Sequence, residues 1–255
     1  MKPVLALAVL LGLAAPAAAW DIDKMNAQIE QTNVIVSGIC SGTVIDTARR
    51  LILTAHHCIT DSLRETEKEE VDPITGEIRK RTVMEKAPMY IETWKRQDFD
   101  VVTSETHAAL IRGWDDQADI AILEVIDTDW KAAQAAPLAP DTFQYKRGVK
   151  VYAVGNPGIT FDNSLTEGII SAPARKLDLG RGKVPFFQMS AGVIGGNSGG
   201  AIYNEEGEII GTLSAGVRGS SIGLAVPVSK TKELLRKLNL VAAAPAVAGK
   251  VGYPY

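Results

Sequence analysis

Residues Gly192–Thr212, "GVIGGNSGGAIYNEEGEIIGT", crowd Gly195, Gly196, Gly199 and Gly200 around one Asn197–Ser198 pair and run straight into alternating apolar positions. Glycine loses the most backbone entropy on folding, so four of them beside a single hydroxyl imply a conformation closed to residues with a Cβ. Taken alone, the stretch reads equally well as a glycine-rich hairpin of an all-β protein. The rest of the chain has to separate the two readings.

The chain has 255 residues, 46% of them hydrophobic, and a formal net charge of -3, enough for one large domain or two small lobes. No dense Lys/Arg stripe is present, which argues against nucleic acid as a partner. The 23 glycines and 6% aromatics fit short strands joined by tight turns. The start, "MKPVLALAVLLGLAAPAAAW", reads as a secretory signal. Lys2 precedes an apolar run, Val4 to Ala15, that is short for a membrane span, and Ala17-x-Ala19 offers small side chains for cleavage after Ala19. The expected protein is exported, periplasmic or secreted, and free of the membrane once the signal is cleaved. Export also bears on Cys40 and Cys58, the only two cysteines. Thiols in an oxidising compartment usually pair, although two buried free cysteines remain open on spacing alone.

After the signal, "DIDKMNAQIEQTN" is a polar segment compatible with a helix, and strand-like runs follow at Val34–Ile39, Gly42–Ile45 and Leu51–Thr54. Asp61 to Asp100 is dense in charges of both signs and reads as solvated loops and exposed hairpins, with a turn at "DPITGE". Alternation returns from Ala118 to Ile126, and a linker rich in Ala and Pro leads to a second series of short strands. Two β-rich halves around one connection suggest two small barrels or sandwiches packed together. Only "SKTKELLRKLNLV" has helical periodicity, with Leu234, Leu235, Leu238 and Val241 on one side, and it is expected to pack on the second lobe. The expected organisation is a signal at 1–19, one domain at 20–240 with lobes near 34–128 and 145–228, and a mobile tail at 241–255.

Three histidines are present, His56, His57 and His107, and neither an HExxH nor a paired CxxC pattern accompanies them, so no metal or cofactor is expected. Acyl transfer fits better. A serine hydroxyl is a weak nucleophile that needs a base within reach and a carboxylate to fix the base's tautomer. The chain offers a histidine after a strand in "LTAHHC", an aspartate opening one in "ADIAILEV", and Ser198 in its glycine turn. That turn would aim the backbone N–H groups of Gly196 and Ser198 at a developing oxyanion.

These three motifs, in the order His, Asp, Ser, resemble those of the chymotrypsin-fold serine peptidases, and the order separates the chain from α/β-hydrolases and subtilisin-like enzymes. "VGNPG", "TEGIISA", "GNSGGAIYNEEGEIIGT" and "IGLAVPV" are similar to segments of the bacterial HtrA protease domains. The resemblance implies an all-β fold of two packed six-stranded antiparallel β-barrels with a short C-terminal helix. It assigns His57 as base, leaving His56 a bystander, Asp119 as the orienting carboxylate and Ser198 as nucleophile. It also implies a Cys40–Cys58 disulfide pinning the histidine loop.

Two departures limit what carries over. HtrA proteins have a PDZ domain after the peptidase, which this chain is expected to lack, so their assembly and peptide sensing are not carried over. Digestive relatives pair an "IVGG"-type amino terminus with an aspartate before the nucleophile. Here that neighbour is Asn197, which cannot form the ion pair. The expected substrate pocket is lined by Gly192, Ser214, Ala215 and Gly216, with no acidic residue for a basic P1 side chain, so a small or apolar P1 is expected. The expected activity is endoproteolysis of protein or peptide substrates; the sequence does not reveal the oligomeric state. The rival reading is a catalytically silent, secreted binding module on the same fold.

Overall fold

The computed structural model describes residues 21–97, 100–132, 134–159 and 161–240. The expected signal and C-terminal tail, and Val241 of the helix face, lie outside the described residues. Helix α1 (Ile22–Thr32) is capped by Asp21, whose side chain accepts the Asp23 N–H, and it leads directly into the first barrel. That barrel contains β1 (Asn33–Val36), β2 (Cys40–Asp46), β3 (Leu51–Thr54), β6 (Met89–Gln97), β7 (Asp100–Asp115) and β8 (Ile120–Val125). Antiparallel pairing runs β1-β2-β3-β8-β7-β6 and closes where β6 meets β1, Ile35 facing Glu92.

The intervening β4 (Leu63–Val71) and β5 (Ile78–Lys86) form a separate two-stranded hairpin. Its turn is made by Asp72, whose Oδ1 accepts the N–H groups of Ile74 and Thr75, as the "DPITGE" reading expects. The same reading took the whole segment to Asp100 as solvated loops and exposed hairpins, and for β6 it is corrected. Met89 and Ile91 are buried, and β6 closes the barrel. Their inward alternation is masked in the sequence by outward neighbours such as Tyr90 and Glu92.

The second barrel contains β9 (Lys150–Gly155), β10 (Ser164–Asp178), β11 (Lys183–Met189), β12 (Ala201–Tyr203), β13 (Ile209–Gly216) and β14 (Gly223–Pro227), closed in the order β10-β11-β14-β13-β12-β9. Phe186, Phe187, Tyr203 and Val226 fill it. β3 and β8 are buried on both faces. Ile52 and Leu123 point into the first core, while Leu51, Leu53, Ile120 and Ile122 belong to the cluster that continues into the second. This is why "LILT" and "IAILEV" read as nearly unbroken apolar runs. Helix α2 (Val228–Lys237) packs on β13 and β14 and also reaches β7 and β8. Leu238, just past its end, sits against Gly113 of β7, so the helix braces both barrels rather than the second alone.

Cys40, at the start of β2, and Cys58 form a disulfide with Cα atoms 6.0 Å apart and a sequence separation of 18. Closing a loop of that length stabilises by about 3 kcal/mol in the chain-entropy account. A Cys40→Ser/Cys58→Ser double variant should therefore melt several degrees below the wild type in calorimetry. Identical melting curves would show that the bridge adds nothing to stability.

Candidate active site

β3 ends at Thr54, and the chain then makes a single 3-10 turn over His56–Cys58, tied by the disulfide to β2. This turn faces the start of β8, where Asp119 has φ +56°, a left-handed conformation uncommon for a residue with a side chain. Asp119 is fully buried. Its Oδ1 accepts the backbone N–H of His57 at 3.0 Å, and its Oδ2 lies 2.9 Å from His57 Nδ1. The Ser214 hydroxyl, from β13, donates to Oδ2, and the Arg181 guanidinium, from the turn between β10 and β11, donates to Oδ1. A buried carboxylate is tolerable only with such donors.

Burial works against the charged form of Asp119. The hydrogen bond and charge of His57, the Ser214 hydroxyl and the His57 backbone N–H outweigh it and hold the carboxyl down to about 2. His56 takes no part in this contact. It stacks on Trp114 with ring centroids 6.2 Å apart, and its Nδ1 is buried without a hydrogen-bond partner among the described residues. Burial lowers its pKa, against the opposing pull of Asp119 and Asp116.

The glycine turn is fastened to the first barrel by Ser41, a residue that sequence reasoning missed. Its Oγ donates to the Gly196 carbonyl at 2.7 Å and accepts the Asn156 N–H at 2.8 Å, while its own N–H donates to the Ser198 carbonyl at 2.8 Å. A Cβ on Gly196 (φ +99°) would lie 2.2 Å from the Asn156 oxygen, and one on Gly199 (φ +84°) 2.3 Å from the Ser41 oxygen. The glycines thus permit a close approach of backbone to backbone, Gly196 within the second barrel and Gly199 across to the first. Gly195 is different, since a Cβ there meets open space. The N–H groups of Gly196 and Ser198 meet no acceptor among the described residues.

Ser198 reaches the same neighbourhood as His57. Its carbonyl oxygen is 3.7 Å from Cys58 Sγ, one residue along from His57. Its hydroxyl makes no hydrogen bond to His57 among the described residues; such contacts often tighten only around substrate. His57, Cys40 and Cys58 bring potential ligand atoms within 4.8 Å of one another, but both sulfurs are in the disulfide, which leaves one imidazole and no ligand set for a metal.

A cavity of about 770 Å³ opens at Ser198, with Val193, Leu213, Ala215, Gly216 and the exposed Arg218 in its wall. Of the expected lining, Ala215 and Gly216 are in the wall. Gly192 and Ser214 are not: the Gly192 carbonyl accepts from Thr166, and the Ser214 hydroxyl is turned to Asp119. Val193 packs into the space beside Gly216, its Cγ2 only 2.8 Å from where a Cβ there would stand. His107 lies elsewhere, 3.3 Å from Asp127, in a second cavity of about 680 Å³ that shares no lining residue with the first.

The family model of the trypsin-like peptidase domain matches residues 40–211. The chain is 30% identical over 155 residues to "Serine protease HtrA-like" of Staphylococcus aureus (strain MRSA252), an overlap covering 56% of this chain and 19% of that protein. It is 34% identical over 142 residues to "Serine protease Do-like HtrB" of Bacillus subtilis (strain 168), covering 52% and 30% respectively. The chain therefore matches less than a third of the length of either relative.

Asp119 has its folded pKa at about 2, below the ordinary 3.8, so the stability it contributes is present above pH 4 and is lost as pH falls from about 4 through 2. The difference is worth on the order of 2 kcal/mol. Denaturant titrations should show the wild type losing that much more than Asp119→Asn between pH 5 and pH 2. Parallel curves for the two proteins would contradict the assignment.

Proposed function

Because the chain belongs to the trypsin-like peptidase domain family, we propose that it is an exported serine endopeptidase acting through Ser198, His57 and Asp119. The observation that carries this reading is the double grip of one buried carboxylate on His57, through both ring and backbone. Such a grip fixes the Nδ1–H tautomer and leaves Nε2 as a base. Ser198 Oγ attacks the scissile carbonyl carbon as its proton passes to Nε2. The oxyanion is received by the N–H groups of Gly196 and Ser198. When the C–N bond breaks, His57 returns the proton to the leaving amine, and water then releases the acyl group by the same route. Export is supported by the leader-like start of the sequence and by the disulfide, which suits an oxidising compartment. No described helix is long and apolar enough to cross a membrane.

Specificity follows from the cavity wall. Val193 crowds the wall at Gly216, and the described lining carries no carboxylate for a basic side chain, which favours a small or apolar P1 side chain such as Ala or Val.

On a peptide substrate, Ser198→Ala and His57→Ala should each lower kcat/KM on the order of 10⁴-fold or more, while His56→Ala stays within a few-fold of wild type. Loss of activity in His56→Ala with retention in His57→Ala would show that the base is the other histidine. In a peptide library, Ala and Val should outcompete Phe, Lys and Arg at P1. Efficient cleavage after Phe would mean that Val193 does not close the pocket.

A further inference from the structure

Both oxygens of the Asp119 carboxylate have donors besides Arg181. The His57 N–H already fixes Oδ1 and the Ser214 hydroxyl fixes Oδ2, yet the Arg181 guanidinium bonds to Oδ1 as well. The turn that carries it is braced by Asp178, whose Oδ1 accepts the N–H groups of Gly180 and Gly182 on either side of Arg181. Its side chain is 26% exposed, and Asp119 is its ion-pair partner across the barrels. A positive charge has thus been brought to a carboxylate whose two oxygens already have donors.

We propose, on the premise that His57 is the base of the peptidase, that Arg181 is a positioning residue which offsets the Asp119 charge and so extends activity to lower pH. A lone buried carboxylate favours the protonated form of the imidazole beside it. A guanidinium bonded to Oδ1, the same carboxylate oxygen that accepts the His57 N–H, offsets that charge and opposes protonation, and His57 stays neutral, able to accept the serine proton, in more acidic surroundings. The other charged groups around this turn are His56 on the same segment, Asp116 and Asp115 before β8, Lys237 of α2 paired with Asp115 at 3.9 Å, and Lys86 of β5 over Trp114. All of them persist in an Arg181 variant, so a difference between variant and wild type reports Arg181.

Two measurements test this. The first is kcat/KM against pH for wild type, Arg181→Met and Arg181→Lys; the second is the NMR titration of the His57 ring in each of these on a Ser198→Ala background. In Arg181→Met the acid limb and the ring midpoint should both move to higher pH by about half to one unit, the size of a screened charge interaction at this range. Arg181→Lys should restore most of the wild-type behaviour. An unmoved limb and midpoint in Arg181→Met, or an equal shift in Arg181→Lys, overturns the proposal, because a purely structural role would not depend on charge. If Arg181→Met does not fold, Arg181→Gln removes the same charge while keeping a donor and is read in the same way. If the wild type cleaves no peptide, the peptidase reading fails, and the His57 titration still decides whether Arg181 opposes protonation.

Discussion

The buried Asp119 carboxylate is the point at which the two barrels are joined chemically. It stands at the entrance to β8 of the first barrel, beside His57 of the same barrel, and it takes hydrogen bonds from Ser214 and Arg181 of the second. A charge placed there without donors from both sides would cost several kcal/mol. The proposed catalytic arrangement and the barrel interface are therefore not separable. Whatever holds the barrels in register also holds the imidazole, and the carboxylate that orients the imidazole also ties the barrels together.

Ser41 plays the corresponding part for the nucleophile turn. One side chain and one backbone N–H fix the carbonyls of Gly196 and Ser198, and the same hydroxyl receives the N–H of Asn156 from the end of β9. Pointing these carbonyls toward Ser41 leaves the N–H groups of Gly196 and Ser198 without acceptors among the described residues. Preorganised donors of that kind are most effective when nothing inside the protein competes for them. The glycines at 196 and 199 let the turn come close enough to be held in this way.

Much of this was legible in the sequence, and the reasons differ from one element to another. "LTAHHC", "ADIAILEV" and "GGNSGG" are local patterns, so the residues of the candidate site and the fold they resemble were readable without contacts. The disulfide became readable through the resemblance. β6 was not, because the inward pair Met89 and Ile91 is separated by outward polar neighbours and follows a charged hairpin. Helix α2 showed its apolar face but not which barrels that face would touch. Ser41 and Arg181 left no signal at all. One is an unremarkable serine beside a cysteine, and the other sits in "LGRGK", which reads as a solvated turn 62 residues away from its partner. Contacts of that range are set by barrel closure, and no local pattern carries them. The placing of Gly192 and Ser214 relative to the cavity wall was not legible for a similar reason, since the facing of a loop and a bulged strand depends on tertiary packing.

In the proposed mechanism one hydroxyl among the chain's serines, that of Ser198, is made nucleophilic by the His57 imidazole. Reaction of the folded protein with a fluorophosphonate, followed by intact-mass measurement and peptide mapping, tests it directly. A single phosphonyl adduct on Ser198, absent from the His57→Ala protein, is the predicted result. An unmodified protein, or an adduct on a different residue, would contradict the account.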